Sequence, residues 1–176
     1  MVIDRSGNRS SGRTRRILGI DPGIVRVGWG VVDAGASIQL VDFGTVKSDR
    51  ETPHAERLLS IFEGVREVIE RTEPDVVAVE EVFVGKSPRS TLSSGEGRGA
   101  CILAGATAGL PVVEYPAAVV KVAVTGNGRA AKTQVQAMVA RLLRLDSAPT
   151  PHDAADALAV AITHFQRGGR ALRVRS

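Results

Sequence analysis

"ILGIDPGIVRVGWGVV", residues 17–32, is the stretch from which the rest of the chain can be read. A run of strand-forming apolar residues, Ile17 to Ile20, ends on a lone carboxylate, Asp21, and Pro22-Gly23 follows at once. A buried strand has no reason to deliver a charge into a core. Asp at the first position of a turn is the plain alternative, because its side chain can satisfy turn amides. On this residue alone the two readings balance, and the rest of the sequence has to decide.

Outward from that stretch, "RILGID" and "VGWGVVD" are β-rich, "DAGA" (Asp33 to Ala36) is turn chemistry, and "SIQLVDFGTVKS" alternates apolar and polar residues. Three strands on short connections predict an antiparallel meander. In "HAERLLSIFEGVREVIERTEP", Ala55, Leu58, Leu59, Phe62, Val65, Val68 and Ile69 recur at helical spacing, and Glu73-Pro74 stops the helix. "DVVAVEEV" then reads as a buried strand, parallel to the first because a helix intervenes. "VGKSPRSTLSSGEGRG" is polar and Gly-rich, which predicts a loop running into the small-residue helix "ACILAGATAG". "LPVVEY" is a fifth strand, and Lys121 is placed after a strand-like stretch. "TGNGRAAKTQ" is a basic loop opening the helix "KTQVQAMVARLLRL", with Val135, Met138, Val139, Leu142 and Leu143 as its apolar stripe. A last helix starts near "TPHDAADALAVAITHF". The order β-β-β-α-β-α-β-α-α predicts an α/β fold, a single domain with a five-stranded mixed sheet flanked by helices.

The chain has 176 residues, enough for one domain with a real core, and 43% hydrophobic against 24% charged residues is ordinary globular composition. No apolar run reaches the ~20 residues of a membrane helix, so no membrane role is expected. "MVIDRSGNRSSGRTRR" lacks the apolar segment of a secretory signal. The one cysteine, Cys101, excludes an internal disulfide and a Cys-based zinc site and suits a reducing cytoplasm. Residues 1–16 and 167–176 each carry a net +4 in a chain whose total is +4, which leaves residues 17–166 at −4. The division expected is therefore an acidic domain over 17–166 between two Arg-rich, disordered tails. Such arms suit a polyanion, although solubilising tails have the same composition.

Four carboxylates compete with structural explanations. Glu80 and Glu81 end a strand, and neighbouring strand residues point to opposite faces, so at most one shares a site with Asp21. In "TPHDAAD", Thr150 as N-cap and Pro151 as first helical residue make Asp153 a good first-turn acid. Asp156 lies past the cap region, on the same helical face as Asp153, with alanines between and after them. Asp21, Glu80, Asp153 and Asp156 together supply what a pair of hard cations about 4 Å apart requires, namely oxygen ligands converging from different elements. The chemistry that follows is phosphodiester hydrolysis with two Mg²⁺ ions per site, for which Mn²⁺ can substitute, one ion activating water and the other stabilising the departing 3′ oxygen. His152 reads better as a surface residue beside a cap than as a base. Lys132, at a helix start behind "TGNGRAA", and Lys121 are candidate phosphate ligands. Lys86, Arg89 and Arg98 populate the polar loop after Glu80 and suit contacts that position a backbone without reading its sequence. Phe83 is one of only six aromatic residues, and at that place it suits either base stacking or the core.

At these residues the chain resembles the RuvC family of Holliday junction resolvases, within the ribonuclease H-like superfamily. The carrying motifs are "ILGIDPGIVRVGWGVV", "VAVEEVFVGK", "VVKVAVTGNGRAAKTQVQ" and "DAADALAVAITH", in order over roughly residues 17–166. The resemblance implies Asp21, Glu80, Asp153 and Asp156 as the catalytic, metal-holding carboxylates, Lys121 and Lys132 as DNA-contacting lysines, and Phe83 as the aromatic that stacks at the opened junction centre. It also implies a homodimer that nicks opposed strands of a four-way DNA junction symmetrically, and cooperation with the branch-migration proteins RuvA and RuvB in recombination and repair. Two departures fall in one region: Glu96 stands where many relatives carry Gln, and Gly97 where Ala is usual. Three rival readings are another nuclease on the same fold, a nucleotide-binding domain using the Asp-Pro-Gly turn, and a non-catalytic DNA-binding module. The nucleotide-binding reading needs two lobes, for which the chain is too short.

Overall fold

The computed structural model of the chain describes residues 14–81 and 88–168, the side chains of 88–90 excepted. Its meander is β1 (Arg15–Asp21), β2 (Arg26–Ala34) and β3 (Ile38–Lys47), followed by α1 (His54–Thr72), β4 (Val76–Glu80), α2 (Pro88–Thr107) and β5 (Val112–Tyr115). Three helices complete the chain: α3 (Ala117–Thr125), α4 (Lys132–Leu143) and α5 (His152–Gln166). The sheet runs β3-β2-β1-β4-β5, antiparallel where strands are joined by turns and parallel where a helix intervenes.

Period-two alternation divides the core into two layers. Ile17, Val32, Val76, Ala78 and Tyr115 face α3, α4 and α5. Leu18, Ile20, Val31, Val77 and Val79 face α1 and α2. Apolar surface on both faces is what the continuous hydrophobic runs of β1 and β4 require, and each face is covered by helices. Every residue of α5 from Ala154 to His164 is buried, as its all-round apolar sequence demands.

α5 lies unusually close to the sheet because glycines leave it room. A Cβ at Gly28 would stand 2.0 Å from the Asp153 carbonyl oxygen, and one at Gly19 would stand 2.2 Å from that of Ala157. The strand glycines "GxG" of β2 and the alanines of α5 are thus two halves of one contact, which fixes the start of α5 over the end of β1.

Several expectations need correction. Residues 117–125 form a helix rather than a strand-like stretch, so three helices follow β5. Pro116 supplies a compatible start, Val120 and Val124 make a buried i, i+4 stripe, and Gly126 closes the helix in the left-handed region. Residues expected in a loop after Pro88 are helical from that proline onward. The N-terminal boundary moves too: Arg15 and Arg16 belong to β1, where the Arg16 guanidinium pairs with Asp33 at 2.8 Å. The remainder of the expected tails, residues 1–13 and 169–176, lies outside the described residues. Among the described residues, no helix is long and apolar enough to cross a membrane.

Candidate functional site

Asp21 lies on the same face of β1 as Ile17 and Gly19, and Glu80 on the same face of β4 as Val76 and Ala78. Both are therefore on the α5 side of the sheet, at the ends of adjacent parallel strands whose register runs to Ile20 beside Val79. Asp156, in the first turns of α5, is held above them by the glycine contact. Asp21, Glu80, Asp156, Lys121 and Lys132 line one cavity, walled by Ala117, Val120, Val135 and Ala159, with a volume of about 210 Å³. Glu81 is not among its lining residues; its amide donates to the Tyr115 carbonyl.

The carboxylates repel one another. Burial, followed by the charges of Glu80 and Asp156, pushes the Asp21 carboxyl up to about 8. Burial and then Asp156 push Glu80 up to about 7, against the opposing pull of Lys132 and Lys121. Such a group of acids gathers at low cost only around positive charge. The nearest positive charge belongs to the protein itself: Lys132 Nζ stands 2.6 Å from Asp156 Oδ2, and this contact raises the lysine above its ordinary value.

Asp153 stands in the first turn of α5, as expected, but the start of the helix differs from the expected one. Pro151, not Thr150, is the N-cap residue of α5, and no side chain caps the helix. The Asp153 carboxylate meets Arg26 Nη1 at 3.2 Å, outside the cavity's lining but near enough for Asp21 to feel its charge. Sequence reasoning missed Arg26. The available signal was period two in β2, which puts Arg26 on the same face as Gly28 and Gly30.

The donor set fits hard divalent cations: carboxylate oxygens from two strands and a helix, desolvated, mutually repelling and deficient in positive charge. Among the described residues, no three His, Cys, Asp or Glu side chains are drawn together tightly enough to hold an ion as they stand. Two of the four acids are instead paired with the protein's own cations, Asp156 with Lys132 and Asp153 with Arg26.

The basic loop fares unevenly. Arg98 is not a free phosphate ligand, since its guanidinium is paired with Glu114 of β5. Arg89 falls in α2 with its side chain outside the described residues, and Phe83 and Lys86 lie wholly outside them. Glu96 and Gly97 do have clear roles. Glu96 pairs with His54 Nε2 at 3.1 Å, tying α2 to the start of α1. Gly97 is buried where a Cβ would come 3.0 Å from the backbone of Gly23, so α2 packs directly on the turn that follows Asp21. His152 is exposed at the first position of α5. Burial pushes the Cys101 thiol up to about 12, which makes it an inert core residue.

A sheet in the order 3-2-1-4-5, with acids at the ends of its two central parallel strands and on a helix laid across them, has the architecture of ribonuclease H-like proteins. The family model "Crossover junction endodeoxyribonuclease RuvC" matches residues 17–164, and the chain belongs to that family. The protein of that name from Chloroflexus aggregans is 50% identical over 150 residues, covering 85% of this chain and 92% of its own length. That from Azoarcus sp. (strain BH72) is 52% identical over 163 residues, covering 90% and 87%. Among solved structures, Thermus thermophilus RuvC in complex with Holliday junction substrate superposes with a TM-score of 0.82 at 41% identity, covering 89% of this chain and 98% of that one. The yeast mitochondrial Holliday junction resolvase Ydc2 shares the fold alone, at 13% identity and a TM-score of 0.59.

Proposed function

We propose that this chain is a Mg²⁺-dependent endonuclease that resolves four-way DNA junctions by paired symmetric nicks, as part of recombination and repair in the cytoplasm. The observation that carries the reading is the convergence of Asp21, Glu80 and Asp156 with Lys121 and Lys132 on one cavity in a chain of this family. The name and title of the relatives, crossover junction endodeoxyribonuclease and a complex with Holliday junction substrate, support the choice of reaction and substrate.

Asp21, Glu80, Asp153 and Asp156 would hold the ions, with Mn²⁺ able to replace Mg²⁺. When bound, a pair of such ions supplies an activated water on one side of a phosphodiester and charge stabilisation for the departing 3′ oxygen on the other. The protein's own part is positioning. β1 and β4 deliver two carboxylates to fixed points, and the rigid contact of α5 with the strand glycines delivers the third without any flexible loop. Lys121 and Lys132 attract the DNA backbone to a domain that is otherwise acidic, and they orient the phosphate over the carboxylates. Phe83, beyond Glu80, supplies an aromatic face at an opened junction centre, while Lys86 and Arg89 add backbone contacts. The Arg-rich ends strengthen attachment without specifying it.

The described residues of one chain form one such cavity, and two opposed cuts need two, so the working unit is a homodimer with RuvA and RuvB as partners. One gel tests the core of the reading: an end-labelled four-way junction and a linear duplex of the same sequence, each with Mg²⁺ and with EDTA. Paired nicks confined to the junction lane with Mg²⁺ are the expected result. Equal cutting of both DNAs would favour another nuclease on this fold, and binding that is indifferent to EDTA with no scission would favour a non-catalytic module.

A further inference from the structure

The two acids of α5 are engaged by different cations, and only one of these, Lys132, lines the cavity. Arg26 opens β2 two residues before Gly28, the residue opposite Asp21 in the antiparallel register. Alternation puts its side chain on the α5 face, just beyond the point where the helix starts, and there it meets Asp153 at 3.2 Å. Both side chains are partly open to solvent, 46% for Arg26 and 32% for Asp153. An ion pair this exposed is weak and easily exchanged, and a divalent cation competes for its carboxylate on favourable terms.

We propose that Arg26 is a positioning residue that holds Asp153 in the metal-free protein and passes to a DNA phosphate when Asp153 turns to the metal. The proposal rests on the metal-dependent reading above and extends it. The exchange keeps the charge balanced: the carboxylate trades one cationic partner for another, and the freed guanidinium is a planar, bidentate phosphate ligand beside the start of α5. Metal binding and DNA binding are then linked, each favouring the other, because the cation that leaves Asp153 is the one the backbone receives.

The test compares the full-length wild type with Arg26→Gln, and with Arg26→Lys as the charge-retaining control. Junction binding is measured over a salt series in EDTA and in fixed Ca²⁺, on ice, with the DNA shown intact on a denaturing gel. In EDTA the slopes of log K against log salt should coincide. In Ca²⁺ the wild-type slope should be steeper by roughly one phosphate contact, about 0.9, and Arg26→Lys should restore most of the difference. Mn²⁺ binding without DNA, followed by electron paramagnetic resonance, should be severalfold tighter in Arg26→Gln because a competitor for Asp153 is gone. Equal slopes in Ca²⁺, an equal difference in both conditions, or weaker Mn²⁺ binding in Arg26→Gln would each overturn the proposal while leaving the metal site standing. Absence of Mn²⁺ binding in the wild type would overturn the metal-dependent reading, and the proposal with it.

Discussion

Asp21 carries a burden that Lys132 only partly offsets in the metal-free chain. Its carboxyl is desolvated and stands among Glu80, Asp156 and Asp153, which is why it titrates near 8. Asp21→Asn keeps the shape and removes the charge. Cleavage of a junction should fall below detection while junction affinity changes less than about threefold, because a metal ligand rather than a phosphate ligand is lost. In EDTA the same variant should melt at least about 3 °C higher than wild type, since a buried charge and its repulsion are both removed. Full activity in Asp21→Asn would refute the assignment. Glu80→Gln should likewise be far more damaging to cleavage than Glu81→Gln, because only Glu80 is on the cavity side of β4. The placement of Asp21 and Glu80 on one cavity was legible in the sequence because an acid ending an apolar strand breaks a pattern that burial otherwise enforces. The partnership of Arg26 with Asp153 was not, for it spans 127 residues and exists only once α5 has been laid on β2.

His164 behaves differently, deep beneath the sheet rather than at its end. Its Nδ1 is 2.9 Å from the Tyr115 hydroxyl, its Nε2 has no hydrogen-bond partner among the described residues, and burial, followed by the charge of Arg15, holds the imidazole below its ordinary value. The folded chain therefore resists a proton that the unfolded chain accepts near pH 6.5. The resulting stability is present above that pH and is lost as pH falls below it, by at most about 1.4 kcal/mol per unit. Denaturant melts at pH 7.5 and 5.5 should show a smaller loss in His164→Gln than in wild type. An identical loss would assign the acid sensitivity to other groups.

At the scale of elements, the site depends on how close α5 comes to the sheet. Gly28→Ala drives a methyl group into the Asp153 carbonyl, where backbone on both sides has no room to yield. It should cost at or above the upper end of the roughly 1–3 kcal/mol of overpacked cores, and it should abolish cleavage by tilting the start of α5. Gly99, exposed in α2 with nothing within 4 Å of an added Cβ, gives the opposite expectation. Gly99→Ala should stabilise by about 0.5–1 kcal/mol with cleavage unchanged. Urea melts and junction cleavage on both variants check the pair, and comparable effects would show that the glycine contact does not position the site. Glycines of both kinds look alike in a sequence; only the register distinguishes a groove from a solvent face. "AAVVKVAVT" misleads for a related reason, since four β-branched valines favour a strand locally while burial of Val120 and Val124 against the core stabilises a helix. The meander and α1 were legible because their periodicities are long and unbroken, and α5 because a proline and an acid open a long apolar run.

Over the whole molecule, the distribution of charge has to be reconciled with a polyanionic substrate. Residues 17–166 are net −4, and the basic excess sits at the two ends of the chain. Part of that excess is structural, since Arg16 is committed to Asp33; within the acidic span, Arg98 is likewise committed to Glu114. Residues 2–13 still hold three arginines, Arg5, Arg9 and Arg13, against one aspartate. If these arginines touch the DNA backbone, a chain lacking residues 2–13 should bind junctions more weakly at low salt and almost normally at high salt. Its slope of log K against log salt should be shallower by up to about three contacts, each worth roughly 0.9. Because β1 begins at Arg15, the truncation stops short of the sheet and should leave the melting temperature unchanged, which separates loss of attachment from loss of fold. Cleavage at saturating protein should also persist, since none of the cavity's residues is removed. An unaltered salt slope would mean that the tail has no part in binding, and that Lys121, Lys132 and the metal carry the attraction for DNA.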